Sequence, residues 1–323
     1  MSATGLHLAG PFFIQKISRL TLAIAMCAAR QKMKCKPPFS YYGGKGSQKM
    51  QNIIQELKPR YKIYGEPFAG AASTLFHLEN FNHTVEFLND KNNLLGNFYR
   101  VVKDPKLFSA LMAMIEGTLH NENDFRRAAK IYLNPKKYHR VERAWAVWAG
   151  FNMAHASTIH RGSGFACDRN RVSRGMNKEA SKISTSKKNA ELLAARLERV
   201  TITCIDAIRF IDKIDGPDTF FFIDPPYPGS DQGHFKKFGF GMPEFVNLLE
   251  KLSEIKGKFL LTSGLYPELE AARNLCRWGH HEVKIKNAIS YNDGGETISK
   301  TVERVEAFTW NYNECEKIGG LFK

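Results

Sequence analysis

Residues 220–227 read Phe-Phe-Phe-Ile-Asp-Pro-Pro-Tyr, and the other motifs of the chain are arranged around them. The first four residues are a short, continuous apolar run, which predicts a buried β-strand. The two prolines lack an N–H group, so they end the strand abruptly. Asp224 and Tyr227 therefore stand at the carboxyl end of a strand, the edge at which open α/β sheets bind ligands. An ordinary strand followed by a proline turn is the alternative interpretation.

The composition indicates a globular protein with a polyanionic partner. The 323 residues are 43% hydrophobic and 12% aromatic, which suits one large domain or two ordinary ones. Lys and Arg total 47 against 32 Asp and Glu, and the net charge is +15. Such a surplus favours nucleic acid as the partner, with a basic solvated surface as the alternative.

The six cysteines form no Cys-x-x-Cys pair. We therefore predict no disulfide framework and no metal site, and a reducing cytoplasm is the expected setting. Residues 20–29 are an apolar run that resembles a weak signal-peptide core and is too short to span a bilayer. We expect residues 1–35 to be a dispensable extension, with Met33 as a candidate start, and residues 313–323 to be a C-terminal tail.

A strand, a turn of small residues and a helix are predicted at 61–64, 65–73 and 73–78, the first unit of a nucleotide-type α/β fold. The turn lacks Gly-x-Gly-x-x-Gly and the Lys-Ser/Thr of a phosphate loop, which argues against NAD and ATP. Asp90 follows a second predicted strand and stands twenty residues after Gly70, a position suited to accepting hydrogen bonds from ribose hydroxyls. Capping the next helix is a compatible second role.

Two further segments are weaker signals. Residues 39–46 carry aromatic residues before Gly-Gly-Lys, where glycine allows close approach of a ligand and Lys45 can meet a carboxylate or a phosphate. An ordinary turn is the alternative there. Asp206 follows the strand predicted at 200–205, so it can accept from the amine of a bound adenine or cap the helix that begins at Ala207.

Residues 101–188 interrupt the alternation of strands and helices. Helices are predicted at 107–115, 122–133 and 141–153, followed by a polar, glycine-dotted, basic stretch at 155–188. Basic side chains bind phosphates, so this stretch predicts contact with a DNA duplex, with a long solvated loop as the alternative. The candidate DNA-binding residues, including two from a basic loop after Tyr227, are Arg161, Arg169, Arg171, Arg174, Lys178, Lys187, Lys188, Lys236 and Lys237.

The α/β pattern then resumes to the end of the chain. Helices are predicted at 190–199, 244–254 and 268–277, and a strand at 258–262. Residues 282–289 and 301–310 alternate apolar and polar side chains and predict a terminal hairpin of the sheet.

Four motifs, taken in this order, resemble the Dam-type DNA adenine methyltransferases, which transfer a methyl group from S-adenosylmethionine to the exocyclic amine of adenine. The motifs are Tyr-Tyr-Gly-Gly-Lys at 41–45, Glu-Pro-Phe-Ala-Gly at 66–70, Asn-Asp at 89–90 and Asp-Pro-Pro-Tyr at 224–227. The resemblance implies an α/β fold: a Rossmann-like methyltransferase sheet with helices on both faces and a mainly helical inserted target-recognition domain. The implied catalytic domain is residues 36–100 and 189–312, and the implied recognition domain is residues 101–188.

The resemblance also implies roles for single residues. The implied cofactor-binding residues are Tyr41, Lys45, Glu66, Pro67, Phe68, Ala69, Gly70, Asp90, Asp206 and Asp224. The implied catalytic residues are Asp224, Pro225, Pro226 and Tyr227. Tyr41 stands where the family often has tryptophan, and Ala71 and Ala72 stand where it often has glycine.

An adenine amine is a poor nucleophile because its lone pair is delocalised into the ring. Asp224 and the Pro225 carbonyl would accept hydrogen bonds from the two N–H groups of the amine and so orient its nitrogen. The base would be flipped out of the duplex and stack on Tyr227, with no covalent enzyme intermediate. Cytosine's amine, an RNA base and an inactive DNA-binding relative are the alternatives. Double-stranded DNA is the implied partner, a separate restriction endonuclease and a monomeric state are further expectations, and no membrane contact is expected.

Overall fold

A computed structural model describes residues 35–41, 43–78, 84–159, 164–167, 171–229, 239–293 and 296–313. The chain forms two compact units, Met1–Lys36 and Pro37–Lys323. Almost all of the first unit, and with it the predicted extension, lies outside the described residues, as do residues 314–323 of the predicted tail. All the strands and helices that the structure describes belong to the second unit.

The second unit is built on strands of mixed direction. The strands are β1 (Ile63–Glu66), β2 (Val85–Asn89), β3 (Val172–Ser173), β4 (Met176–Asn177), β5 (Val200–Thr203), β6 (Thr219–Ile223), β7 (Lys258–Ser263), β8 (Gly279–Asp293) and β9 (Glu296–Trp310). Seven of them form one sheet in the order β5-β2-β1-β6-β7-β9-β8, and β3 pairs with β4 as a separate hairpin. The first five strands of the sheet are parallel, and β9 is antiparallel to β7 and β8.

Helices occupy the segments between these strands. Those in the described residues are α1 (Gln48–Leu57), α2 (Ser73–His77), α3 (Asn93–Lys103), α4 (Pro105–Gly117), α5 (Glu122–Leu133), α6 (Arg140–Met153), α7 (Lys178–Leu197), α8 (Ala207–Ile214), α9 (Met242–Glu254) and α10 (Pro267–Cys276). The predicted α/β class is confirmed. Within the described part of the chain, no helix is long and apolar enough to cross a membrane.

Strand β6 lies in the middle of the sheet, between β1 and β7. Its four residues 220–223 are buried, with Phe222 the most exposed at 4%. Phe210 of α8 and Phe245 of α9 belong to the same buried cluster as Phe221. A parallel strand covered on both faces has no solvent side, which is why its sequence is continuously apolar rather than alternating. The predicted strand is confirmed.

The order of the strands creates a switch point between β1 and β6. From β1 the chain moves outwards to β2 and β5, and it then returns to the other side of β1 as β6 and β7. Ligands of open α/β sheets bind outside the carboxyl ends of the strands at such a point. Glu66 ends β1 and Asp224 follows β6, so both carboxylates stand there. The prediction had put this first strand at 61–64 and Glu66 in the turn.

The helical interruption is confirmed, but the basic stretch is only partly a loop. Helices α4, α5 and α6 match the three predicted helices. The stretch at 155–188 is not a loop throughout, because α7 begins at Lys178, twelve residues before the helix predicted at 190–199. Asn177 caps this helix by accepting from the N–H groups of Glu179 and Ala180. Buried apolar residues are widely spaced along α7, at Ile183, Ala190, Leu193 and Leu197, which hid its first half.

Helix α7 also crosses residue 188, and α3 crosses residue 100. Both predicted domain boundaries therefore fall inside helices. The division into a catalytic and a recognition domain stays a prediction.

Candidate active site

A cleft opens at the carboxyl edge of the sheet, with an empty volume of about 1450 Å³ including its open mouth. Every residue predicted to bind a cofactor or to act on a base lines it. These are Tyr41, Lys45, Glu66, Pro67, Phe68, Ala69, Gly70, Asp90, Asp206, Asp224, Pro225, Pro226 and Tyr227. Among the described residues, no group of His, Cys, Asp or Glu side chains is placed to hold a metal ion.

The turn after β1 packs against Tyr41. Gly70 has a φ of +53°, a backbone conformation that side chains disfavour. A Cβ atom at Gly70 would also lie 3.0 Å from Cδ1 of Tyr41. Two independent features therefore favour glycine at position 70, and the turn packs against the tyrosine ring at the cleft.

Asp90 is fixed by two backbone donors. The N–H of Gly70 donates to its Oδ2 at 2.8 Å, and the N–H of Asn92 donates to its Oδ1 at 2.8 Å. Burial raises the pKa of Asp90 to about 6 in spite of these hydrogen bonds. The cap of α3 is Asn92, whose side chain accepts from the N–H of Leu94, so that second role belongs to Asn92.

Glu66 is a buried carboxyl group in the wall of the cleft, with 2% of the residue exposed. Its Oε1 accepts from the hydroxyl of Tyr64 at 2.7 Å and from the N–H of Leu75 at 2.8 Å. Burial outweighs these two bonds and raises the pKa of Glu66 to about 8. Glu66 is therefore mostly protonated at neutral pH, and a positive charge beside it would draw the proton off.

Three polar side chains converge on one oxygen of Asp224. Lys45 Nζ lies 2.7 Å from Oδ1, Thr262 Oγ1 donates to it at 2.8 Å, and the Tyr227 hydroxyl lies 3.3 Å away. Within the described part of the chain these contacts all use Oδ1, so they orient the carboxylate and leave Oδ2 to a ligand. The sequence prediction for Lys45 was cofactor contact; the structure pairs it with Asp224 while it lines the cleft.

Glu306 of β9 completes this group, and the sequence reasoning missed it. It is fully buried, accepts a hydrogen bond from the Tyr227 hydroxyl, and lies 3.1 Å from Lys45 Nζ. Burial, followed by the charges of Asp224 and Glu306, raises the pKa of Tyr227. Alternation along the strand puts Glu306 on one face with Phe308 and Trp310. A carboxylate on an apolar face was the available signal.

Asp206 performs the capping role considered for it. Its Oδ1 accepts from the N–H of Ile208 at 3.0 Å, which begins α8, and its Oδ2 lies 3.5 Å from Lys91 Nζ. It also lines the cleft, so capping and ligand contact are compatible. Phe68 and Phe240 form an edge-to-face pair on the same wall, with ring centroids 5.5 Å apart.

The basic candidates that the structure describes lie on the hairpin and on α7, away from the cleft lining. Arg171, Arg174, Lys178 and Lys188 are exposed, and Arg174 donates to Thr185 Oγ1 at 3.0 Å. Lys187 is half-buried and donates to the Glu116 carbonyl at 2.8 Å. Arg161, Arg169, Lys236 and Lys237 lie outside the described residues.

A sequence model of the family described as D12 class N6 adenine-specific DNA methyltransferase matches residues 41–289. The solved structures compared include precorrin 8W decarboxylase from Methanobacterium thermoautotrophicum, which is 10% identical, has a TM-score of 0.34 and covers 87% of this chain and 100% of that chain. They also include precorrin-6y C5,15-methyltransferase from Geobacter metallireducens GS-15, at 10% identity and a TM-score of 0.35, covering 84% and 92%. Neither structure is similar enough to this chain to indicate its function. No curated protein matches the chain.

Proposed function

The chain belongs to the D12 class of N6 adenine-specific DNA methyltransferases, and we propose that it methylates the adenine amine in duplex DNA on a base turned out of the stack. Membership confirms the resemblance seen in the sequence. It makes the protein an adenine DNA methyltransferase that uses S-adenosylmethionine. The duplex, the displaced base and the residue roles below are the proposal.

The cleft suits S-adenosylmethionine, which when bound supplies an electrophilic methyl group on a sulfonium. The cofactor has hydroxyl and amine donors and positive charge, and the carboxyl groups of Glu66, Asp90 and Asp206 face the cleft. Thr74 also lines it, and its Oγ1 is, among the described residues, buried without a hydrogen-bond partner. Such an atom favours a polar ligand, because an unsatisfied buried hydroxyl costs about 1–3 kcal/mol.

We assign Glu66 and the turn at 67–70 to the methionine part, Asp90 to the ribose hydroxyls and Asp206 to the cofactor's adenine. Tyr41 would pack against the cofactor from the other side of the turn. The separation of Glu66 and Asp206 along the cleft wall is consistent with a long ligand, because they belong to different strand ends of the sheet.

The orientation of Asp224 is the observation that carries the proposal for catalysis. Lys45 and Thr262 hold Oδ1, so Oδ2 is the oxygen with which Asp224 would accept from the target amine. The Pro225 carbonyl would accept a hydrogen bond from the second N–H of the amine, and Pro226 stiffens the backbone that carries this carbonyl. Positioning of this kind can lower the barrier by several kcal/mol, with about 7–11 kcal/mol as the ceiling. Stacking on Tyr227 would contribute about 1–3 kcal/mol towards holding the displaced base.

The duplex is supported by charge and by the shape of the small hairpin. The net charge of +15 favours a polyanion. Arg171 and Arg174 flank exposed apolar residues, Val172 at 77% and Met176 at 44% exposure. Cations that bind phosphates beside exposed apolar side chains suit contact with a groove. A monomeric state, a cytoplasmic setting and a separate restriction endonuclease remain predictions from the sequence.

The test is to incubate the protein with unmethylated duplex DNA and S-adenosylmethionine carrying a labelled methyl group. The DNA is then digested to nucleosides and analysed by mass spectrometry. We expect the label in N6-methyladenine. Label in N4-methylcytosine, or label only when RNA replaces DNA, would favour the corresponding alternative, and no label at all would contradict the proposal.

The affinity for S-adenosylmethionine should rise with pH between about pH 6 and pH 8 because of Glu66, by at most about tenfold per pH unit. The raised pKa of about 8 means that Glu66 is protonated before binding below that pH. A cationic cofactor favours the carboxylate, so binding releases a proton, and release is easier at higher pH. Calorimetry in buffers of different ionisation enthalpy measures this proton.

In Glu66→Gln, the affinity for S-adenosylmethionine should lose the part of its pH dependence that comes from Glu66, since glutamine has no proton to release. Asp218→Asn, a matched change at a surface residue that is 60% exposed, should keep it. Equal slopes and equal proton release in the wild type and Glu66→Gln would refute the assignment of Glu66 to a positively charged part of the cofactor.

A further inference from the structure

We propose that Glu306 is a positioning residue for methyl transfer, which holds Tyr227 and Lys45 so that Asp224 keeps one oxygen for the target amine. The inference rests on the proposed function and adds a residue outside the Asp-Pro-Pro-Tyr motif. Four observations support it: the place of Glu306 in the sheet, its burial, its charge partners and its shared donors.

The direction of β9 brings Glu306 to the catalytic edge. Ile223 pairs with Leu261 across β6 and β7, and Ser263 pairs with Ala307 across β7 and β9. Because β9 is antiparallel, the residue before Ala307 lies beyond the carboxyl end of β7. Glu306 therefore emerges beside Asp224, although 82 residues separate them in the sequence.

A fully buried carboxylate needs compensating charge. Glu306 is 0% exposed, and its cations are Lys45 at 3.1 Å and Arg304, whose Nη2 lies 3.6 Å from Oε2. With Asp224 included, two carboxylates face two cations, so the group is neutral as a whole. Well-packed apolar side chains at a buried site often give the folded protein as much stability as an ion pair does. A carboxylate at this buried position is therefore better explained by the reaction than by stability.

Glu306 also relieves competition for Asp224. Lys45 Nζ is shared between Asp224 Oδ1 at 2.7 Å and Glu306 Oε1 at 3.1 Å. The Tyr227 hydroxyl donates to Glu306, and Asp224 Oδ1 is 3.3 Å from the same hydroxyl. Without Glu306, both donors would turn to Asp224. The Tyr227 ring would move towards Asp224, and the stronger hydrogen bonding at Oδ1 would weaken the carboxylate as an acceptor for the target amine.

The experiment compares Glu306→Gln, Tyr227→Phe and the double variant with the wild type, on unmethylated duplex DNA and saturating S-adenosylmethionine. Each single variant should lower the single-turnover rate of adenine methylation about 10- to 100-fold, since misplacement by 1 Å can cost about that much. The Kd for S-adenosylmethionine should change less than about threefold. The double variant should be about as slow as the slower single variant, because each single change removes the same charge-assisted hydrogen bond between Tyr227 and Glu306. Glu303→Gln, an exposed change on the same strand, should leave the rate unchanged.

A Glu306→Gln rate within about twofold of the wild type, or strictly additive losses, would overturn the inference. A loss confined to cofactor affinity would overturn it too. Should Glu306→Gln fail to fold, Tyr227→Phe decides, because an unchanged rate there would show that the hydroxyl contact does not matter. These outcomes presuppose a wild type that makes N6-methyladenine; a wild type that makes none refutes the proposed function instead.

Discussion

Asp224→Ala is expected to lower the single-turnover rate of adenine methylation by at least about 10²–10³-fold, the range found when one preorganised polar group of an active site is removed. Asp224 is the side chain that would accept from the target amine, and alanine offers no acceptor. The fold should survive, because Lys45 keeps Glu306 at 3.1 Å and the Gly43 carbonyl at 3.0 Å as partners. The measurement is rapid-quench methyl transfer at saturating DNA and cofactor.

Binding distinguishes a catalytic role for Asp224 from a general one. DNA affinity in a gel-shift assay should be retained in Asp224→Ala, and cofactor affinity should fall far less than the rate. Asp218→Ala changes a carboxylate that is 60% exposed and pairs with Lys62, so it should leave the rate as it is. Turnover retained by Asp224→Ala would show that the residue does not act on the base.

Lys45→Met is expected to destabilise the protein by about 3–5 kcal/mol, the cost of removing one partner of a buried ion pair. Lys45 is 4% exposed and stands between Asp224 and Glu306. Methionine fills similar space but leaves the two carboxylates facing each other, with Arg304 beside Glu306 as compensation. Urea unfolding followed by circular dichroism measures the loss.

Lys62→Met is the control for this loss, since Lys62 and Asp218 are 74% and 60% exposed and such a surface pair contributes about 0–1 kcal/mol. Equal losses in the two variants would contradict a buried role for Lys45.

Much of the site was accessible from local sequence. An apolar run that stops at two prolines predicts a buried strand with a carboxylate at its end, because both features act within a few residues. The glycine at Gly70 and the spacing to Asp90 likewise reflect a single strand–turn–helix unit. Each of these residues lines the cleft. The first half of α7 was missed because a helix with few buried side chains carries a weak periodic signal.

The sequence by itself therefore determined the α/β class, the family and the segments that meet at the cleft, since those depend on short-range patterns. Only the tertiary structure decided which charged side chains pair with one another at the cleft. Lys45 pairs with Asp224 across 179 residues, and Glu306 arrives on a strand that runs against its neighbour. The physical reason is that a buried charge is stabilised by whatever the fold brings within a few ångströms. No local pattern encodes that proximity.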